Sequence, residues 1–267
     1  EESYMDKHLM RIINRIQELK EPIKTGSFIF DYDGIKISNI RWREDKDGAI
    51  KIYKTPGQGR PYVLGGDTSG EGSDYFTGQV DDNITGEQVA VLRQQYDEVD
   101  YTRQMYCLGK YYNNALIGIE ANYSTFPIQE LERLKYPNQF VREKEDTFTS
   151  QLNKAYGFKT TSITRPLILA ELQTFVKENI DKLNDRDTLE EMLVFIKNEH
   201  GRPEAQVGYH DDLVMGKAIA LYIRPQQRMT IEEVQKQIIE NDIYKQFGIR
   251  YGEDSEEGDY GSKIEVF

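Results

Sequence analysis

Apolar residues recur at helical spacing over residues 3–20, where Met5, Leu9, Ile12, Ile13, Ile16 and Leu19 share one face. The pattern predicts an amphipathic helix, and Glu21-Pro22 ends it, because proline cannot continue a helical hydrogen-bond ladder. The period then shortens. Segments 27–32, 35–42 and 50–53 read as β-strands separated by Asp33-Gly34 and Asp47-Gly48, dipeptides that favour hairpin turns. Residues 55–61, with two prolines and two glycines, break the pattern as a linker or entry loop.

A second patterned region starts at Tyr62. The short apolar run 62–66 predicts a central strand, and 75–81 and 88–95 predict two more, joined by a turn at 83–86. A helix follows over 98–112, a strand over 115–120, a helix over 126–134 and a strand over 139–142. Helical spacing returns at 168–183, 189–198 and 213–223. Three strands in meander order, then alternating helices and strands, predict an α/β fold with a mixed β-sheet flanked by helices. The chain divides accordingly into an N-terminal helix and hairpin extension (1–61), a core (62–228), and a C-terminal helix with an acidic tail (229–267). Within that last part, 230–247 has helical periodicity and the acidic run follows Gly252.

Composition narrows the classes. No apolar run approaches the roughly 20 residues of a membrane span, so no membrane partner is expected. The single cysteine, Cys107, excludes an internal disulfide framework and suits a reducing compartment, with the thiol packed in the core. The start, Glu1-Glu2-Ser3-Tyr4, has neither an initiator methionine nor a signal pattern, and the expectation is a fragment of a longer polypeptide. The net charge of −12 argues against a dedicated non-specific DNA binder, which neutralises phosphates with a basic surface. Charge distribution outweighs the sum, however, and much of the excess lies near the C-terminus.

Acids recur at the ends of elements. Asp67 follows the run 62–66, Glu120 ends the run 115–119, and Asp211-Asp212 precede the helix at 213–223. If the two strands are neighbours, Asp67 and Glu120 meet at one sheet edge and the helix brings a third acid. Converging carboxylates repel and raise each other's pKa unless a cation lies between them. Hard divalent ions such as Mg²⁺ take oxygen ligands, and two ions about 4 Å apart can activate water and stabilise the leaving oxygen of a phosphodiester. Taken singly, Asp211 or Asp212 is also an ordinary helix cap. Asp74 lies a short glycine-rich loop beyond Asp67 and is a candidate neighbour of the same site. That loop lacks the Gly-Lys-Ser/Thr of a Walker A element. His8, His200 and His210 show no zinc spacing, although His210 adjoins the acid pair and is a candidate substrate contact.

Four blocks resemble the large terminase subunits of tailed bacteriophages, in consistent order between Tyr62 and Ile223. They are Tyr62-Val63-Leu64-Gly65-Gly66-Asp67-Thr68-Ser69-Gly70-Glu71-Gly72-Ser73-Asp74, then Leu116-Ile117-Gly118-Ile119-Glu120-Ala121-Asn122. Next come Tyr156-Gly157-Phe158-Lys159-Thr160-Thr161 with Thr164-Arg165-Pro166, and last Gly208-Tyr209-His210-Asp211-Asp212-Leu213-Val214-Met215. The resemblance implies an RNase H-like nuclease domain that cuts concatemeric double-stranded DNA with two Mg²⁺ or Mn²⁺ ions. Asp67, Glu120 and Asp212 would be the catalytic metal ligands, with Asp211 and Asp74 as supplementary acids; the motif leaves open which of Asp211 and Asp212 binds directly. Lys159 and Arg165 are candidate DNA-backbone contacts. Gly216-Lys217 stands where the family usually has alanine, and Lys217 would face solvent or touch DNA. Implied partners are an ATPase domain of the same polypeptide, the portal protein and the small terminase subunit, on a procapsid in the host bacterial cytoplasm. Two other readings compete: a nuclease-silent module docking the motor to the portal, and another RNase H-like enzyme such as a junction resolvase.

Overall fold

The computed structural model describes residues 2–68, 75–95, 97–145 and 152–227. Asp74, the helical periodicity at 230–247 and the acidic run after Gly252 lie outside them. In chain order the elements are β1 (Glu2–Ser3), α1 (Leu9–Glu18), β2 (Lys24–Tyr32), β3 (Ile37–Glu44), β4 (Ile50–Ile52), β5 (Tyr62–Asp67), β6 (Phe76–Asp82) and β7 (Gln88–Gln94). They continue with α2 (Glu98–Tyr111), β8 (Leu116–Ile119), α3 (Phe126–Arg133), β9 (Val141–Glu145), β10 (Leu152–Tyr156) and α4 (Thr164–Asn179). The series ends with α5 (Arg186–Leu193), β11 (Phe195–Lys197), β12 (Pro203–Ala205) and α6 (Asp212–Ile223).

Seven strands form one sheet in the order β3-β2-β4-β7-β6-β5-β8. The pairs from β3 through β5 are antiparallel, whereas β5 and β8 run parallel, with Val63 opposite Leu116 and Gly66 opposite Ile119. Both faces are covered, and every residue of β5 is buried. Side chains alternate across a strand, so Leu64 and Ile117 enter one core with α2 and α3, while Val63 and Leu116 enter the other with α4, α5 and α6. The result is three layers, helices on each side of a mixed sheet, as the sequence predicts.

The N-terminal strands do not stand apart from the core. Ile50 and Ile52 of β4 pair with Leu92 and Ala90 of β7, so the sheet runs without a break across residue 61. The helix α1 packs against α5 on the far face. One expectation changes. The helical stretch at 189–198 splits, because α5 ends at Leu193 and Phe195–Lys197 instead pairs with β1 and β12. The strand expected over 139–142 is β9, and it forms a hairpin with β10, with Val141 opposite Tyr156.

The helix α6 is buried on nearly all sides, from Asp212 through Leu221. Its closest approach to the sheet rests on two glycines. A Cβ at Gly65 would stand 2.3 Å from the Ala220 nitrogen and 2.5 Å from the Gly216 carbonyl oxygen, and one at Gly216 would meet the Thr77 hydroxyl at 2.9 Å. Only a strand and helix without side chains at these points can pack backbone to backbone. That contact draws the start of α6 to the end of β5.

Candidate active site

Parallel pairing of β5 and β8 makes Asp67 and Glu120 neighbours at the carboxyl ends of two strands. The Gly66–Ile119 pair is the last of the ladder, and the Glu120 N–H donates to the Gly66 carbonyl at 2.9 Å. Both acids are buried, Asp67 7% and Glu120 5% exposed. Burial, the charge of Glu120, a hydrogen bond shared with it, and the charges of Asp212 and Asp211 hold the Asp67 carboxyl well above the usual carboxylate range.

Asp212, the first residue of α6, is the third acid and is buried as well. Its Oδ2 accepts the Tyr75 backbone N–H at 2.9 Å, and its carbonyl accepts the Thr77 hydroxyl at 2.9 Å, so both ends of the residue are pinned to the start of β6. His210 Nδ1 lies 3.7 Å from the same carboxyl. Asp211 occupies the N-cap position without capping the helix; its carboxylate accepts from the Arg165 guanidinium at 3.2 Å. The two neighbours therefore differ: Asp212 is fixed by backbone and Asp211 is paired with a cation.

Sequence reasoning missed Glu191. Its Oε2 accepts the backbone N–H of Leu213 at 2.8 Å and of Val214 at 3.3 Å, so a side chain of α5 caps α6 directly beside Asp212. Burial, opposed by Arg93 and assisted by the charge of Asp212, pushes its pKa up to about 8. Arg93 in turn lies 3.9 Å from the centre of the Tyr75 ring, and that ring meets His210 edge-on at 5.2 Å. No local signal marks Glu191, since an acid in a helix is ordinary; only the packing of α5 on α6 gives it this role.

One cavity of about 810 Å³ holds the site. Asp67, Glu120, Asp211, Asp212 and His210 all line it, and so does Arg165. The segment after β10 forms part of the wall, held to the end of β8 because Asn122 exchanges two hydrogen bonds with the Thr160 backbone. Arg165 is committed to the scaffold: it donates to the Pro203 carbonyl at 2.9 Å as well as to Asp211. Lys159 is exposed and lies outside the lining.

Lys217 corrects the sequence reading. It neither faces solvent nor can touch DNA, because it is fully buried beneath the sheet, donates to Asp81 at 2.6 Å and lies 4.8 Å from the centre of the Phe175 ring. Burial lowers its pKa and Asp81 opposes the shift. Its place in the sequence, among apolar residues of a helix covered on all sides, is the reason.

The donors available to a cation are carboxylate oxygens, the ligand type that suits Mg²⁺ or Mn²⁺. Burial and the neighbouring carboxylates raise the pKa of the Asp67 carboxyl, and a cation would relieve that repulsion, so the donor set fits a hard divalent ion. Among the described residues no three His, Cys, Asp or Glu side chains stand ready-made around a single ion position. Asp67 and Glu120 touch each other instead.

The mixed sheet flanked by helices, with β8 parallel to β5, is an RNase H-like α/β fold. Solved structures give the particular likeness. The large terminase nuclease from thermophilic phage G20c matches at a TM-score of 0.52 and 17% identity, over 78% of this chain and 96% of that one. The same nuclease with bound magnesium matches at 0.54 and 16% identity, over 79% and 96%, and the form with bound cobalt gives the same values. At such identities the shared property is the fold. No protein-family profile matches the chain, and no curated protein does.

Proposed function

We propose that this chain is a divalent-metal-dependent endonuclease, the nuclease domain of a large terminase subunit that cuts concatemeric double-stranded DNA during genome packaging. The observation that carries the reading is the meeting of Asp67, Glu120 and Asp212 in one cavity at the sheet edge. The fold shared with the phage G20c nuclease, solved with magnesium and with cobalt, agrees with it.

In this reading Asp67, Glu120 and Asp212 would hold two Mg²⁺ or Mn²⁺ ions, which when bound would supply Lewis-acid activation of water and stabilisation of the leaving oxygen. The chain's own residues supply position. Parallel strands fix Asp67 against Glu120, and Tyr75 N–H, the Thr77 hydroxyl and the Glu191 cap fix the start of α6. Asp211, neutralised by Arg165, shapes the wall beside Asp212. Arg165 acts through Asp211 and the Pro203 carbonyl at the start of β12, and Lys159 offers an exposed charge outside the cavity. Asp74 remains a supplementary acid of the proposal. As a packaging nuclease the chain would work in the host bacterial cytoplasm on a procapsid, joined to an ATPase domain and meeting the portal and small subunit. The boundaries 1–61, 62–228 and 229–267 are kept as functional segments, the first leading toward the ATPase.

The test is nicking of supercoiled plasmid in Mg²⁺ or Mn²⁺, with EDTA and a single-stranded RNA of equal length as controls. Metal-dependent nicking that EDTA abolishes, with the RNA intact, is the expected result. Intact plasmid under every condition, from a folded chain that binds DNA, would favour the silent docking module.

A further inference from the structure

Three groups hold the start of α6 at the site. The Tyr75 N–H donates to the Asp212 carboxylate, the Thr77 hydroxyl donates to the Asp212 carbonyl, and the Glu191 carboxylate accepts the N–H groups of Leu213 and Val214. Arg93 of β7 stands beside all three. It lies directly opposite Thr77 in the β6–β7 ladder, and residues so paired project to the same face of a sheet. Its guanidinium sits over the Tyr75 ring, 3.9 Å from the ring centre, and a terminal nitrogen lies 3.7 Å from Glu191 Oε1.

Each of these contacts bears on a residue that holds Asp212. The β6–β7 ladder begins at Phe76 opposite Gln94, so Tyr75 lies one residue outside it. Its ring gives it further hold, through the Arg93 cation on its face and the His210 ring at right angles, 5.2 Å away. Glu191 is buried, and its Oε1 accepts no hydrogen bond among the described residues, so the Arg93 charge is what balances that oxygen. The remaining ion contact of Arg93 is to Asp187 at 3.9 Å, and Asp187 pairs more closely with Lys51, at 2.8 Å. Arg93 does not line the acidic cavity. It lines a smaller one of about 360 Å³, which shares Tyr209 and His210 with the first. It is thus placed to act through its neighbours and not on a substrate.

We infer that Arg93 is a positioning residue of the metal site: by stacking on Tyr75 and balancing Glu191 it sets the Asp212 carboxylate, and with it the affinity of the site for a divalent ion. The inference rests on the nuclease reading and deepens it. Groups that orient the ligands of a metal change its affinity by roughly ten- to a hundredfold when they are removed.

Calorimetric titration of Mn²⁺ into the chain without DNA tests it, with folding of every variant confirmed by circular dichroism. Arg93→Gln should weaken Mn²⁺ binding by roughly ten- to a hundredfold, and the Mn²⁺ concentration that half-saturates plasmid nicking should rise by the same factor. Arg93→Lys keeps a cation facing Glu191 but not the flat face on Tyr75, so it should recover part of the loss. Tyr75→Leu keeps the backbone N–H and removes the ring; it should also weaken binding, and combined with Arg93→Gln it should cost less than the product of the two single losses, because both act through one contact. Asp187→Asn, which removes the ion contact of Arg93 that does not lead to α6, should leave Mn²⁺ binding unchanged. Unaltered Mn²⁺ affinity in a folded Arg93→Gln, or an equal loss in Asp187→Asn, would overturn the inference, while nicking by the parent chain would leave the nuclease reading in place. Arg93-dependent Mn²⁺ binding with no cutting of any DNA would do the reverse: the positioning role would stand and the nuclease reading would fall.

Discussion

Lys217 and Asp81 face each other at 2.6 Å with neither side chain exposed. A buried pair of this kind is costly to break from one side, because the survivor is left charged without a partner. Asp81→Ala should therefore lower unfolding free energy by about 3–5 kcal/mol. Joint replacement, Asp81→Leu with Lys217→Met, should recover most of the loss, and urea denaturation of the three chains checks both statements. Lys217 also shows how far a residue can be read from sequence. A lysine in an apolar helix looks like a surface charge until the helix is known to be covered on every side. Its partner sits on β6, distant in sequence, and no local pattern announces such a pair. The acids were legible for the opposite reason. Asp67 and Glu120 each end an apolar run, and a buried parallel strand is an apolar run whose end is the sheet edge.

At the scale of elements, the central contact is α6 on β5. Gly65→Val would drive a side chain into the Gly216 carbonyl and the Ala220 nitrogen, and overpacking of this sort costs about 1–3 kcal/mol. The helix would have to withdraw, carrying Asp212 away from Asp67, so DNA cleavage should fall more steeply than thermal stability. Glu191→Ala should act on the same contact from the other end. Loss of its two accepted N–H bonds costs about 0.5–2 kcal/mol and frees the start of α6, whereas Glu191→Gln, which can still accept, should stay close to the parent in both measurements. Most element positions followed from periodicity. The strands β10 and β12 did not, and β11 reads as helix: residues 189–198 keep apolar spacing throughout, and only pairing with β1 and β12, drawn from both directions along the chain, turns Phe195–Lys197 into a strand.

For the whole molecule, the sheet ties the first sixty residues to the rest. Ile50 and Ile52 are fully buried, Phe28 is 4% exposed, and all three belong to the same core as Leu64, Leu92 and Ile117. A chain beginning at Pro61 would expose that core and leave β7 as a bare edge. It should lack a cooperative unfolding transition by circular dichroism; a cooperative transition at the parent's temperature would show that the N-terminal strands are dispensable. The sequence places the hairpins correctly but not their attachment, because strand partners in a large sheet are set by tertiary pairing and not by local pattern.

The measurement that bears most directly on the acid cluster is plasmid nicking in Mn²⁺ by Asp67→Ala beside the unaltered chain, with folding of both confirmed by circular dichroism. The Asp67 carboxyl feels the charge of both Glu120 and Asp212. The account predicts nicking by the unaltered chain and its loss in the variant. Nicking that persists at the parental rate in Asp67→Ala would contradict it and send the search for the reacting groups to another part of the fold.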